Sequence, residues 1–302
     1  MKLGIIDAGK FQTKGKGEKK TLFKTRILEL PKYDPDYENV LELEGKFYAI
    51  GEGELASTGT SKMELTHRIC TLFALTQIFD DIHFREEIYL VLGSPITMFE
   101  NPQHKADFKN FIMGEDEGLI SFKVNRKQYL INIQDVLILP ESSGVVYTQP
   151  ELFKNKIVGV IDWGGLQINC MIYDNGKPIK STGFTRQLGS YTLEADLVNK
   201  LNGLGRNYQE YELPYVIARP DINERQIVET VINTQLAKIF SECEKNNWNI
   251  NKIDLVFTGG TSLRFEHILR EKNYIVSENA LNDNIDGFEK VAQIWLNKLL
   301  NQ

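Results

Sequence analysis

Long hydrophobic runs are missing from this chain. The longest uninterrupted apolar stretch is Ile88–Leu92, far short of the roughly 20 residues that cross a bilayer. No membrane span is therefore expected. Cysteine is scarce as well. Cys70, Cys170 and Cys243 are odd in number, widely separated and outside CxxC spacing. They exclude a disulfide framework and a cysteine metal site, and they predict a reducing, cytoplasmic setting. Histidine is limited to His67, His83, His104 and His267, with no ligand spacing, so structural or exposed roles are expected for all four. The chain also lacks an excess of positive charge. Lys plus Arg number 35 against 41 Asp plus Glu, a net charge of −6, which argues against direct binding to nucleic acid over a broad surface. No Pro-rich, Ser-rich or low-complexity linker interrupts the sequence. The opening MKLGIIDAGK, broken early by Asp7, predicts no secretory signal.

What remains is an ordinary globular composition spread over 302 residues, enough for two domains at about 100–200 residues each. Strand-like runs rich in Ile, Leu, Val or Tyr cover Leu3–Asp7, Lys46–Ile50, Ile88–Leu92, Tyr129–Ile133, Val136–Leu139, Ile157–Asp162, Ile168–Tyr173 and Ile253–Thr258, each flanked by turn-forming residues. Helical spacing covers Lys62–Ile78, Asn101–Phe111, Thr192–Asn202, Glu224–Asn246 and Phe288–Leu300. In the fourth of these, Ile227, Val231, Leu236 and Phe240 mark an apolar stripe, with Asn223 as its expected cap. Phe288, Val291, Ile294, Trp295 and Leu299 mark one face of the last helix. The mixture is α/β.

The most informative feature is an internal echo. Residues 6–12 read Ile-Asp-Ala-Gly-Lys-Phe-Gln, and residues 161–167 read Ile-Asp-Trp-Gly-Gly-Leu-Gln. Both follow an apolar strand, and they stand close to half the chain length apart. A strand ending in Asp and turning through Gly has a physical use. Gly lets a ligand approach bare backbone, successive N–H groups form an anion-binding concavity, and the Asp can hold a hydrated divalent cation beside phosphates. Lys10 and Lys14 would add positive charge in the first loop. For either loop alone, an ordinary tight turn is the simpler reading. Residues 4–10 also satisfy most of a G-x-x-x-x-G-K phosphate loop, but Phe11 stands where Ser or Thr must reach the metal, so that motif is rejected.

Two further segments carry possible chemistry. Leu255–Thr258 runs into Gly259-Gly260-Thr261-Ser262 and an expected helix from Ser262 to Lys272, an amide-rich turn suited to an anion or a nucleoside; an ordinary βα turn would look the same. Val136–Leu139 is stopped by Pro140, which leaves Glu141 at a strand end as an acid/base or water-orienting candidate, or simply as a helix-starting Glu. The basic run Lys14, Lys16, Lys19, Lys20 reads as a solvated hairpin turn, Lys14 excepted. Trp163 is expected to pack behind the second loop, and Arg219-Pro220-Asp221 marks a turn.

Taken in order, D-x-G with a lysine-bearing loop, P-E-x-x-G, D-x-G-G and T-G-G-T-S resemble the actin-like ATPase superfamily of actin, Hsp70 and sugar kinases. Within it, the chain looks most like the bacterial plasmid-segregation actins of the ParM, Alp and AlfA type, over nearly its whole length. The resemblance implies an actin-like (ribonuclease H-like) duplicated two-domain fold with a nucleotide cleft between the domains. It implies domain I at 1–148 plus 285–302 and domain II at 149–284, with a short outer subdomain at about 190–223. Asp7, Gly9, Lys10, Gln12, Thr13 and Lys14 are similar to the family's first phosphate loop, and Gly164, Gly165, Leu166 and Gln167 to the second. Gly259, Gly260, Thr261 and Ser262 are similar to the adenosine segment. Asn284 to Phe288 resemble the N-x-x-G-F that precedes the family's last helix.

By that resemblance the cofactors are ATP (or GTP) and Mg²⁺. Asp7 and Asp162 would hold the metal, mainly through water, and Lys14 would contact phosphate. Glu141 and Asp162 are the implied catalytic residues, with Glu141 orienting the lytic water. Leu166-Gln167 depart from the family's usual Thr, which bears on hydrolysis rate more than on binding. The implied function is a nucleotide triphosphatase that assembles head to tail with copies of itself and segregates plasmids through a DNA-binding adaptor, with no direct nucleic-acid contact and no membrane. The rival readings are a non-polymerising structural actin relative of the PilM or FtsA type, or a small-molecule kinase of the same superfamily. An Hsp70-type chaperone is not expected, since no substrate domain follows residue 302.

Overall fold

A computed structural model describes residues 1–55, 57 and 59–301. The chain divides into two compact units, Met1–Tyr147 with Asn284–Gln302, and Thr148–Asp283. The first unit begins with β1 (Lys2–Ala8), β2 (Gln12–Lys16), β3 (Lys20–Lys24), β4 (Arg26–Leu30), β5 (Val40–Leu43) and β6 (Lys46–Leu55). It continues through α1 (Leu65–Ile78), β7 (Glu86–Ser94), α2 (Ile96–Phe99), α3 (Pro102–Met113), β8 (Leu119–Val124), β9 (Lys127–Pro140) and α4 (Gly144–Thr148). The second unit holds β10 (Ile157–Trp163), β11 (Ile168–Asp174), β12 (Lys177–Pro178), β13 (Phe184–Arg186), α5 (Ser190–Asn202), α6 (Leu213–Ala218) and α7 (Ile222–Lys245). It ends with β14 (Asp254–Thr258), α8 (Gly260–Arg264), α9 (Glu266–Glu271) and β15 (Ile275–Val276), after which α10 (Asp283–Leu300) carries the chain back into the first unit.

Both sheets are built the same way. The first runs β3-β2-β1-β7-β9-β8-β5-β6-β4, and the second runs β12-β11-β10-β14-β15. In each, an antiparallel hairpin opens the unit and its first strand then pairs in parallel with a strand reached much later, β1 with β7 and β10 with β14. The two units thus share one core plan of strands.

Alternation along the central strands shows why the first sheet is covered on both faces. Ile6, Leu90, Leu92 and Ile138 pack with Ile69, Leu72 and Phe73 of α1 and Phe108 of α3. Ile5, Val91, Leu137 and Leu139 point to the other side and meet Ile285, Phe288, Ala292 and Trp295 of α10. A strand buried on both faces reads as a continuous apolar run, as β1 and β7 do. In the second unit, Ile161, Trp163, Ile168 and Cys170 face Leu193, Leu197 and Leu201 of α5 and Val228, Ile232 and Ile239 of α7.

The elements depart from the sequence expectations at identifiable points. The runs Tyr129–Ile133 and Val136–Leu139 are one strand. Ile88 faces Ile133 and Tyr89 faces Asp135, so Gln134 is an extra residue, a bulge that breaks the apolar alternation without breaking the strand. The cap of α7 is Asp221 rather than Asn223. Its carboxylate accepts from the Asn223 and Glu224 amides while Glu224 reaches back to the Asp221 N–H, a reciprocal capping box. The deepest face of α7 runs through Val228, Val231, Ile232, Leu236 and Ile239, so Ile227 and Phe240 lie at its margin. The helix expected from Ser262 to Lys272 is two short helices meeting at Phe265. Asn284 to Phe288 lie inside α10, not before it. Gly287 fits there because the backbone of Gly144 closes on it; an added Cβ would stand 2.3 Å from the Gly144 carbonyl oxygen.

The lysine run is more than a solvated turn. Lys16 pairs with Asp286 and Glu289 of α10, each at 2.7 Å, and Lys20 also reaches Asp286. The β2–β3 hairpin is thereby tied to the returning helix. No helix among the described residues is long and apolar enough to cross a membrane. The apolar face of α10 is instead centred on Phe288, which is fully buried. Phe288→Ala should therefore cost about 3–5 kcal/mol of stability, read as a lower urea midpoint with unchanged secondary structure before the transition.

Candidate nucleotide site

The echo in the sequence corresponds to two turns of the same geometry. Ala8 faces Thr13 across the first hairpin, which leaves Gly9-Lys10-Phe11-Gln12 as a four-residue turn. Trp163 faces Ile168 across the second, which leaves Gly164-Gly165-Leu166-Gln167. Each turn is closed by one backbone bond from the first residue to the last, Gly9 N–H to Gln12 O at 3.0 Å and Gly164 N–H to Gln167 O at 3.0 Å. The Gly and Gln shared by the two motifs are thus the two ends of each turn. The shared Asp is the penultimate residue of its strand, Asp7 in β1 and Asp162 in β10.

The likeness extends to the neighbouring parallel strand. Gly93 in β7 and Gly259 after β14 lie against these carboxylates. An added Cβ would stand 3.0 Å from Asp7 Oδ1 at Gly93 and 2.5 Å from Asp162 Oδ1 at Gly259, whose φ of 89° also favours glycine. A side chain at either place would fill the space beside the acid.

In the first unit the side chains around Asp7 are charged and buried. Asp7, Lys10, Lys62 and Glu141 are each less than 10% exposed (7%, 7%, 2% and 8%). Lys62 donates to Asp7 Oδ1 at 3.2 Å and to the Gly93 carbonyl at 3.1 Å, and it forms a close ion pair with Glu141. Asn284 of α10 donates to Asp7 Oδ2 at 3.3 Å. Lys14 stands opposite Asp7 on β2. Burial pushes the Asp7 carboxyl up, but the Lys62 and Lys14 charges outweigh it and hold the group below its usual range. Burial likewise pushes the Lys62 ammonium down, and the Glu141 and Asp7 charges reverse this and hold it above its usual value.

The remaining first-loop residues divide by role. Lys10 is paired with Glu64 at 2.7 Å, and burial lowers its ammonium overall. The Thr13 hydroxyl is bonded to Thr25 at 2.8 Å inside the unit, while Gln12 is exposed. Glu141 follows β9, its amide bonded to Ser94 O at 2.9 Å. The next residue, Ser142, is buried with φ at 73°, a left-handed conformation that costs on the order of 1 kcal/mol or more outside glycine. His67 is buried beside this cluster. Burial, with help from Lys62 and Lys10, pushes its imidazole well below its usual value, so it is neutral.

In the second unit the turn is held by the start of α5. The Ser190 and Tyr191 amides donate to the Gly164 and Gly165 carbonyls at 3.2 and 2.8 Å, and Gly189 donates to Leu166 O. Thr261 donates its hydroxyl to Gly164 O at 2.9 Å, and Ser262 donates to Thr258 O at 2.6 Å. Asp162, Gly164, Gly165, Leu166, Gln167, Gly259, Gly260, Thr261 and Ser262 therefore form one cluster, whose last two hydroxyls brace the backbone. Trp163 is fully buried below it, its indole N–H on Leu188 O and its ring tilted against Phe257 and Phe265. Asp7, Gly93 and Glu141 in the first unit, and Asp162 and Gly259 in the second, stand at the carboxyl ends of parallel strands, where α/β folds place ligands.

Two residues of the first cluster escaped the sequence reading. Lys62 lies in a polar stretch ahead of α1, and no spacing ties a lone lysine to carboxylates that are distant in the chain. Asn284 was noted only as part of a motif before a helix. Among the described residues no group of three or more His, Cys, Asp or Glu could hold a metal ion by itself.

Comparison with known proteins is consistent with this geometry. Residues 6–144 match the family model described as the N-terminal domain of actin-like proteins. The chain is similar to the Alp12 protein of a solved filament, with 27% identity, 98% of this chain and 99% of that chain covered, and a TM-score of 0.69. It is similar in fold to Ta0583, an archaeal actin homologue solved in complex with ADP (14% identity, 97% and 99% covered, TM-score 0.75). It is also similar in fold to the ParM of a 15-stranded filament from Clostridium botulinum (15% identity, 97% and 99% covered, TM-score 0.71). No curated protein sequence matches.

The depressed Asp7 carboxyl has a consequence for stability. A group whose pKa falls on folding stabilises the fold above its unfolded value and loses that contribution as pH falls through the folded value. Asp7→Asn should therefore destabilise the protein at pH 7 by about 3 kcal/mol, with the deficit shrinking as pH falls below about 4. Urea unfolding of both proteins across pH 3–7 measures this, and a deficit independent of pH would remove the ionic account.

Proposed function

We propose that this chain, similar in fold to the Alp and ParM filament proteins, binds and hydrolyses ATP (or GTP) with Mg²⁺ and couples this to self-assembly. The observation that carries the proposal is the matched pair of turns. Each has a strand-end Asp, an identical closing bond and a glycine laid against the acid.

In this reading Asp7 and Asp162 would hold Mg²⁺, mainly through water, and Lys14 would contact phosphate. The amides of Lys10–Gln12 and Gly165–Gln167 would face the phosphates, which are well served by backbone N–H groups in tight turns. Gly259 and Gly260 would face the adenosine and ribose. Mg²⁺ would supply neutralisation of phosphate charge. Glu141 orients the attacking water and takes its proton as the new oxygen–phosphorus bond forms and the bond to the β-phosphate oxygen breaks. Such a transfer depends on positioning and charge rather than on a covalent intermediate. Leu166 and Gln167 place no hydroxyl in the second turn, which favours slow turnover.

Self-association follows the filaments of the similar proteins. A head-to-tail contact repeats without closing and makes a polymer whose lifetime is set by the nucleotide. The proposed cellular role is plasmid segregation in the cytoplasm, with the filament reaching DNA through a DNA-binding adaptor. The net charge of −6 suits a partner-mediated contact better than a direct one.

Right-angle light scattering and pelleting should rise on addition of ATP·Mg²⁺. Tight nucleotide binding without any assembly would favour a non-polymerising relative or a small-molecule kinase. Glu141→Gln should slow phosphate release at least about 100-fold while changing nucleotide affinity only a few-fold. Turnover at the wild-type rate in that variant would take Glu141 out of the mechanism.

A further inference from the structure

We infer that Lys62 is a positioning residue for hydrolysis: its buried ammonium ties together the ends of three adjacent strands and fixes the Glu141 carboxylate for its work on water. The inference rests on the proposed role of Glu141.

The geometry is specific. β1, β7 and β9 lie side by side in parallel. Ile6 is level with Leu92, and Ser94 with Pro140, so Asp7, Gly93 and Glu141 all emerge at one edge. Lys62 offers three N–H groups and meets one acceptor on each strand end, Asp7 Oδ1 at 3.2 Å, Gly93 O at 3.1 Å and the Glu141 carboxylate. A lysine that is only 2% exposed has given up its hydration, and such a group persists only when its hydrogen-bonding capacity is filled.

Glu141 itself sits on a short backbone turn between Pro140 and the left-handed Ser142. The backbone bond of its own amide, to Ser94 O at 2.9 Å, fixes its Cα but not its carboxylate. Two rotatable bonds separate that carboxylate from Cβ, and Lys62 supplies the charged contact at its far end. A displacement of about 1 Å in a catalytic group can cost on the order of 100-fold in rate, so the contact bears on turnover and not only on folding. Lys62 comes from the polar stretch before α1, and Gly59, Thr60 and Ser61 beside it are not part of any strand or helix. The clamp therefore belongs to a connecting segment rather than to the sheet it braces.

The experiment uses the full chain with Lys62→Met, Lys62→Arg, Glu141→Gln and the Lys62→Met/Glu141→Gln pair. In nucleotide-free protein, thermal midpoints should fall non-additively, the double variant unfolding well above the temperature that the sum of the two single shifts gives. With ATP·Mg²⁺, Lys62→Met should lower kcat about 100-fold and change KM less than about threefold, and Lys62→Arg should recover part of kcat. Additive midpoints, or wild-type kcat in Lys62→Met, would overturn the inference while leaving an inactive Glu141→Gln, and hence the role of Glu141, intact. Full activity in Glu141→Gln would overturn both. Should Lys62→Met fail to fold, Lys62→Arg decides alone: reduced kcat at unchanged KM supports the clamp, and reduced affinity at unchanged kcat refutes it.

Discussion

A carboxylate buried at the end of a strand must find a counter-charge or a set of donors, because its desolvation is otherwise too costly. Asp7 imposes that demand on the first unit. Lys62 meets it from the segment before α1, Asn284 from α10 and Lys14 from the facing strand. Three separate parts of the chain are thereby brought to one point. The same ammonium serves Glu141, so the group proposed to orient water and the group proposed to face the metal share a single cation. The arrangement gives a charged site that is dry enough for its charges to interact strongly, yet has no uncompensated acid.

The duplication explains why such a site occurs with a counterpart. Two four-residue turns, two closing bonds from Gly to Gln and two glycines against two aspartates recur in separate sheets, where β3-β2-β1-β7-β9 of one matches β12-β11-β10-β14-β15 of the other. The copies have diverged where side chains do the work. The first turn carries Lys10, neutralised by Glu64, and is flanked by the Lys62 clamp. The second carries no charged residue between Asp162 and Ile168, and is instead stapled through its carbonyls to the amides of α5 and the Thr261 hydroxyl. Both turns are closed by backbone bonds, but only the first adds an ion pair, Lys10 with Glu64.

Residues adjacent in the chain were legible before the fold was known. Asp7 with Gly9 and Gln12, Asp162 with Gly164 and Gln167, Pro140 with Glu141, and Thr258 through Ser262 are each short strings whose spacing follows from strand, turn and strand end. The bulge at Gln134 was not legible, since a strand with one extra residue reads as two. Nor was the start of α10, because a glycine inside a helix argues against helix unless another backbone, here that of Gly144, needs the space. Lys16 and Lys20 looked like surface charge because their partners Asp286 and Glu289 lie near the other end of the sequence.

By itself the sequence determined the α/β class, the repeated strand–turn–strand motif and the identity of the strand-end acids, since all of these depend on neighbours a few residues apart. Only the tertiary structure decided that Lys62 stands between Asp7 and Glu141, that Lys10 is spent on Glu64, and that Asn284 reaches Asp7. Those are pairings of charge and hydrogen bond between segments far apart in the chain. Local propensity carries no information about them, and the energetic reason for each, the cost of burying an unpaired polar group, exists only once the chain has folded and excluded water.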